Sequence, residues 1–356
     1  MSDLTQSLMI KALQRQNTGR PPVWFMRQAG RYHAHYQELK KRYSFMDICT
    51  RPEVAAEATM GPMQDFGFDS AILFSDLLFP LQAMGMGLSY PDKGPQLEWH
   101  LREMQDLQRL THGSVEQVAF QGKALEQIRN RLSTDKTLLG FVGAPFTLFC
   151  YAVEGSHTGN LISSRLGLED GRFEGFFEKL QDLLVANMVL QARSGADAIA
   201  VMDTCAGELD PATYGEKVVP SLHKVLVEFR KQCPYTPIIY YSKGTGSDHW
   251  RHLIELPIAG IGIDWKQDLP RVLREWGDRW AIQGNVDPTW LFLPPSVLEK
   301  RLSRVFQSVL DLPASSRQGW ICGLGHGVLP KTPEENVKLF LKLQNRFFAP
   351  SCEGGK

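Results

Sequence analysis

FEGFFEKLQDLLVANMVLQARSGADAIAVMDT, residues 173–204, carries the pattern that decides the fold. Phe177, Leu180, Leu184 and Met188 recur at helical spacing, and the apolar run 198–202 that follows has the length of a strand. Runs of the same kind recur at 23–26, 70–74, 138–142, 237–241, 258–263, 280–283 and 320–322, eight in all, with longer stretches between them. One such stretch, 335–347, again spaces Val337, Phe340, Leu341 and Leu343 for a helix. Strands alternating with helices predict a parallel sheet in the α/β class, and eight such units predict a single (β/α)8 TIM-type barrel.

Local punctuation fits that reading. Thr50-Arg51-Pro52-Glu53 and Thr332-Pro333-Glu334-Glu335 each place a capping hydroxyl before a proline and first-turn acids, so each predicts a helix start. Residues 82–98 differ, because Met84-Gly85-Met86-Gly87 and the segment from Tyr90 to Pro95 read as turns flanking short extended pieces. They predict a hairpin inserted after the second strand. With no repeat, low-complexity tract or linker, residues 1–350 read as one domain and 351–356 as a frayed C-terminal tail.

Composition bounds the function. Of 356 residues, 43% are apolar and 22% charged, the balance of a globular protein. Lysine plus arginine equals aspartate plus glutamate, 39 each, so no overall field draws the chain to nucleic acid or an anionic membrane. No run approaches the ~18 apolar residues of a membrane span, and the first sixteen residues lack a secretory pattern. The six cysteines form no Cys-x-x-Cys pair and no zinc-finger spacing, which suits free thiols in the cytoplasm.

In a barrel of this kind the loops after the strands build the active site. Those loops carry Arg27-Gln28-Ala29-Gly30-Arg31, Ser75-Asp76, Gly143 to Thr147 leading to Tyr151, and Asp203-Thr204. The remaining four carry Lys243 to Gly246, Asp264-Trp265, Gly284 to Pro288 and Gly325-His326-Gly327. Each candidate has a plainer reading. Arg27 and Arg31, four apart, are either a helix-surface pair or a fork for ligand carboxylates. Asp76 either caps the next helix or faces a charged ligand from the end of an apolar strand. His326 suits a tight turn, Tyr151 suits core packing and Thr204 suits a helix cap, yet all three fall at one end of the barrel.

Other motifs are excluded. Lys243-Gly244-Thr245-Gly246 lacks the order of a phosphate loop, and neither a Gly-x-Ser-x-Gly elbow nor His-Glu-x-x-His occurs. His33 and His35, two apart in a predicted helix, are expected on different faces, so no metal is expected there.

Residues 22–32, Pro-Val-Trp-Phe-Met-Arg-Gln-Ala-Gly-Arg-Tyr, resemble the N-terminal signature of the uroporphyrinogen decarboxylase family. Gly140 to Leu148, running on through Tyr151 to Gly155, resembles that family's second signature. Ile72 to Asp76, Asp203-Thr204, Gln283 to Pro288 and Leu324 to Gly327 match further blocks in order. The resemblance implies a homodimeric barrel that needs no cofactor and no metal. It would convert the four acetate side chains of uroporphyrinogen III to methyls, giving coproporphyrinogen III and carbon dioxide. It also implies that Asp76 stabilises a cationic ring and that Arg27 binds carboxylates or assists proton transfer. Gln28, Ala29, Gly30, Arg31, Tyr151, Thr204 and His326 would contact substrate, and Phe45 would pack on the macrocycle. The chain departs from the family pattern at His33-Ala34-His35, at Lys40 in place of a common arginine, and at Gly323 in place of a common asparagine. A zinc-dependent methyltransferase on the same barrel would require a His-x-Cys element, which is absent. A silent tetrapyrrole-binding protein would keep the arginines without needing Asp76.

Overall fold

The computed structural model describes residues 7–91, 94–155 and 159–349. The tail expected at 351–356, and Asp92 and Lys93 in the expected turn, lie outside the described residues.

Seven parallel strands form one curled sheet in chain order: β1 (Ser70–Ile72), β2 (Thr137–Gly143), β3 (Ala198–Asp203), β4 (Ile238–Ser242), β5 (Gly260–Gly262), β6 (Ala281–Val286) and β7 (Trp320–Leu324). All six residues of β3 are buried, as they are in β6, which is how strands covered on both faces read in sequence. Alternation then sorts them. Ala198, Ala200 and Met202 join Leu139, Ile239, Tyr241 and Ile321 in an inner cluster, while Ile199 and Val201 pack outward among the helices.

The expected first strand is reduced to one parallel bridge, Val23 to Cys322 on β7. Pro21 and Pro22 carry no N–H, and the chain turns at Met26-Arg27, so a longer ladder has no donors at one end and no extended backbone at the other. On its other flank Val23 accepts the Asp69 N–H at 3.0 Å and gives its own N–H to the Asp69 carboxylate at 2.7 Å. Arg20 closes on that carboxylate through two 2.7 Å bonds. Trp24 and Met26 thereby join the inner cluster, and Val23 and Phe25 face out.

The main helices are α1 (Leu8–Leu13), α2 (Ala34–Arg42), α3 (Phe45–Thr50), α4 (Pro52–Phe66), α5 (Ala119–Arg131), α6 (Pro145–Glu154), α7 (Arg172–Arg193), α8 (Val219–Gln232), α9 (Leu269–Trp276), α10 (Pro295–Leu310) and α11 (Glu334–Phe348). Helix α7 lacks a side-chain cap, a loss of about 1 kcal/mol, but buries Phe173, Phe176, Phe177, Leu180, Leu184 and Met188. Each is worth roughly 1.5–3 kcal/mol, so packing dominates the cap. Helix α1 places Met9, Ile10, Ala12 and Leu13 in the inner cluster, away from the loops that follow the strands.

Two start signals need correction. Helices α4 and α11 begin where expected, but neither threonine caps them. Thr50 is the last residue of α3 and bonds back to the Met46 carbonyl at 2.7 Å, and Thr332 bonds the Leu329 carbonyl at 2.8 Å. Each hydroxyl finds a carbonyl in the turn before it and is turned away from the helix after it. Within 82–98, Leu88–Ser89 pairs antiparallel with Gln96–Leu97, two rungs only. Among the described residues, no helix is long and apolar enough to cross a membrane.

Candidate active site

The chain leaves β1 through Leu73-Phe74-Ser75 and reaches Asp76 half-buried at the C-terminal end of the sheet. Asp76 Oδ1 accepts the Leu78 N–H at 2.9 Å. The short helix that follows begins at Phe79 with Leu78 as its cap residue and no side-chain cap, so Asp76 shapes a turn rather than capping a helix. Burial holds its carboxyl above the usual carboxylate range, opposed by the Leu78 N–H, the Tyr90 hydroxyl and the Arg27 charge. No ion pair within 4 Å involves Asp76 among the described residues. A carboxylate that is desolvated, oriented by one backbone bond and left without a cation is set up for a charge that arrives with a ligand.

Arg27 is not on a helix. It sits in a turn at φ 59°, in the left-handed region, and its side chain is exposed. Gly327 makes room for it, since a Cβ there would lie 2.5 Å from Arg27 Cδ. The turn after β7 is therefore built around this arginine, and the Val328 N–H ties it to the Met26 carbonyl at 3.0 Å. Arg31 is also exposed, four residues on but before α2 begins, so the two are loop residues rather than a helix-surface pair. Gln28 is 2% exposed, accepting the Phe25 N–H at 3.3 Å, with its Nε2 3.8 Å from Met63 Sδ. Its side chain is thus used inside the fold, while Ala29 and Gly30 stay half-buried.

Tyr151 lies on the exposed side of α6, half-buried. Burial raises its hydroxyl pKa, with Asp76 pushing the same way and Arg27 opposing, so all three groups share one space. His326 is half-buried, and its Nδ1 accepts the Gly327 N–H at 2.6 Å. In the neutral ring that leaves the proton on Nε2. Trp265 stacks on it at 6.2 Å.

Asp203 and Thr204 part company at the end of β3. Asp203 is fully buried in the outer layer, accepting the Thr147 hydroxyl at 2.6 Å and the Tyr240 hydroxyl at 2.8 Å. Burial is the leading cause that lifts its carboxyl from 3.8 to about 6. Thr204, one residue on, is half-buried and is not a helix cap, because the next helical turn starts from Cys205 without a side-chain cap. Phe45 opens α3 behind a Ser44/Asp47 capping box and packs on Phe74 at 5.9 Å and on Tyr90 at 4.4 Å. Tyr90 was not singled out from the sequence: it lies in a turn-rich stretch with no signature, and only the antiparallel ladder brings it to Asp76.

The histidine pair also needs correction. His33 precedes α2 in extended backbone, φ −89° and ψ 125°, so helical spacing does not apply between it and His35. Their rings lie 5.9 Å apart, His33 on Asp65 at 2.7 Å and His35 by Glu57 at 3.2 Å. Both carboxylates belong to α4. Among the described residues no three His, Cys, Asp or Glu side chains group as a metal site requires. At Gly323 a Cβ would overlap the Trp24 carbonyl oxygen, so the residue is glycine because the bridge to the 22–26 segment runs against it.

Fold and rim together define an α/β enzyme of the TIM type, with the poorly solvated Asp76 carboxylate among arginines, hydroxyls and a histidine at the strand ends. Residues 4–347 match the profile of the uroporphyrinogen decarboxylase (URO-D) family. The chain belongs to that family. Uroporphyrinogen decarboxylase of Carboxydothermus hydrogenoformans is 34% identical over 352 residues, covering 97% of each chain. The chloroplastic uroporphyrinogen decarboxylase 1 of Oryza sativa subsp. japonica is 36% identical over 95% of this chain and 84% of its own. That of Roseiflexus is 35% identical over 97% of this chain and 100% of its own. Among solved structures, a methyltransferase from Methanosarcina mazei superposes with a TM-score of 0.70 at 18% identity, covering 96% of this chain and 99% of that one. That likeness is one of fold.

Proposed function

We propose that this chain is a cofactor-independent uroporphyrinogen decarboxylase in which Asp76 is the fixed anion on which the reaction turns. The family match over nearly the whole chain supports the activity: the four acetate side chains of uroporphyrinogen III become methyls, giving coproporphyrinogen III and carbon dioxide. A carboxymethyl group on a pyrrole loses carbon dioxide once a ring carbon has been protonated. The electrons of the broken C–C bond flow into the iminium-like cation; the freed methylene carbon then takes up a proton to become a methyl while the ring carbon gives back the first, so the aromatic pyrrole is restored and one proton is consumed for each carbon dioxide lost. The substrate is its own electron sink.

What the protein adds is electrostatic. The observation that carries the reading is the Asp76 carboxylate, desolvated, pinned by the Leu78 N–H and unpaired with any cation among the described residues. Pyrrole N–H groups would satisfy its remaining lone pairs and favour its ionised form, and the ring cation would face a charge already in place. Arg27 and Arg31 would hold side-chain carboxylates at the mouth, with Tyr151, Thr204 and His326 as polar contacts and Phe45 against the macrocycle. Ala29, Gly30 and Gln28 would contribute backbone. An arginine pKa above ~12 makes Arg27 a carboxylate binder first and a proton donor only with assistance.

The finer architecture belongs to the same reading. We take the 22–26 segment as the eighth stave closing the barrel, the 88–97 ladder as the inserted hairpin, and residues 1–350 as one domain. Ile162 and Leu166, 63% and 59% exposed and four apart on one short helix, support burial against a second copy in a homodimer. Five described cysteines, all buried and free, suit a cytoplasmic location. Incubation with uroporphyrinogen III under anaerobic, metal-free conditions, then oxidation and porphyrin chromatography, tests the activity. Eight-carboxylate material as the sole product would refute it.

A further inference from the structure

The short ladder after β1 delivers a phenol to the Asp76 carboxylate. Tyr90 follows the rung Ser89 to Gln96, and its ring lies 4.4 Å from Phe45, which in turn meets Phe74 at 5.9 Å, two residues before Asp76. The three rings form one wall of the mouth. The Tyr90 hydroxyl is buried, has no well-aligned hydrogen-bond partner among the described residues, and faces the Asp76 carboxylate. A buried hydroxyl without a partner is costly, and the fold keeps this one beside the carboxylate that the proposed function places against the substrate. Asp76 has lone pairs to spare beyond the Leu78 N–H at 2.9 Å and the weaker influence of the Leu77 N–H. The other groups that act on the pair are Arg27, Tyr151 and the buried Cys49.

We propose that Tyr90 is a positioning residue for decarboxylation: its hydroxyl donates to Asp76 when substrate is bound, fixing the carboxylate's orientation toward the pyrrole N–H groups. The inference rests on Asp76 being the central anion. Tyr90 itself need not touch the reacting atoms. A small turn of the carboxylate aligns the bond, and the Phe45 ring holds the phenol in place throughout.

Tyr90→Phe keeps the ring and its packing on Phe45 and removes only the donor. A hydrogen bond to a charged group is worth roughly a ten- to hundredfold change in rate, so kcat should fall by about that factor with KM nearly unchanged. Loss of the donor also removes one influence that lowers the Asp76 pKa, so the acid limb of kcat, which reports the substrate complex, should move to higher pH. In an Asp76→Asn background, Tyr90→Phe should add no further loss, because the carboxylate charge that Tyr90 orients is already gone. Tyr90→Phe with parental kcat and an unmoved acid limb overturns the proposal. An equal loss in both backgrounds also overturns it, by showing that Tyr90 acts independently of Asp76. If Asp76→Asn alone leaves turnover intact, the central-anion reading falls first, so the two failures are distinguishable.

Discussion

Asp203→Asn should gain stability relative to the parent as the pH rises from acid to neutral. Asp203 is sealed between β3 and α6, with two hydroxyl donors and, among the described residues, no cation in ion-pair range. Burial raises its carboxyl from 3.8 to about 6. At about 1.4 kcal/mol per pH unit, that displacement corresponds to about 3 kcal/mol between the protonated and ionised forms. Because the folded pKa lies above the unfolded one, the folded chain binds the proton more tightly. The stability this group contributes is therefore full below pH 3.8, falls as pH rises toward 6 and is flat above. Asparagine mimics the protonated acid. Thr147 donates to position 203 and its oxygen accepts the Cys205 N–H at 3.2 Å, so the amide oxygen faces Thr147. The amide N–H then faces Tyr240, whose hydroxyl can reverse its bond to Tyr214, 2.7 Å away. The displaced Tyr214 proton and the second amide N–H lose their partners, a cost that does not change with pH. Urea denaturation of parent and variant, followed by tryptophan fluorescence from pH 4 to pH 8, should show the stability difference moving in favour of the variant by roughly 2–3 kcal/mol. A difference independent of pH would refute the reasoning.

Three further outcomes are expected. Asp76→Asn keeps an oxygen for the Leu78 N–H but loses the charge; at about 4 Å and an effective dielectric of about 20 that charge is worth about 4 kcal/mol. Porphyrin chromatography should therefore show turnover reduced roughly a thousandfold, and a loss below tenfold would count against the role. Asp69→Ala removes the acceptor shared by the Val23 N–H, Arg20 and Lys136, the last at 3.3 Å. It should cost about 3 kcal/mol of stability in urea, and an unshifted midpoint would show that the segment is held by packing alone. Gly327→Ala displaces only the flexible end of Arg27, so denaturation should be nearly unchanged while KM for uroporphyrinogen rises; a parental KM would place Arg27 outside the binding site.

Much of this was readable along the chain. Apolar runs of strand length between helix-spaced stretches located seven strands to within a few residues, because a strand buried on both faces leaves a continuous apolar signature. The candidates Arg27, Asp76, Thr204 and His326 lie at the C-terminal ends of strands or in the loops beyond them and Tyr151 on the helix that follows β2, since parallel strands put all those ends on one edge. The 22–26 run looked like the others and forms a single bridge, because prolines and a turn limit its pairing. The threonine caps failed because each hydroxyl donates to a carbonyl of the turn before it instead of accepting an N–H of the helix after it. Helical spacing misled at His33, which stands one residue outside the helix that the rule assumed.

The chain by itself determined the α/β class and the family and made Asp76 a candidate, since periodicity and motif are local properties of consecutive residues. Only the tertiary structure decided what surrounds Asp76. Tyr90 reaches it from a two-rung ladder, Gly327 opens a path for Arg27, Gln28 turns inward, and Asp203 is sealed on the far side of its strand from Thr204. Those relations join residues tens to hundreds apart in sequence, and they depend on which face of a strand a side chain occupies once the sheet has curled.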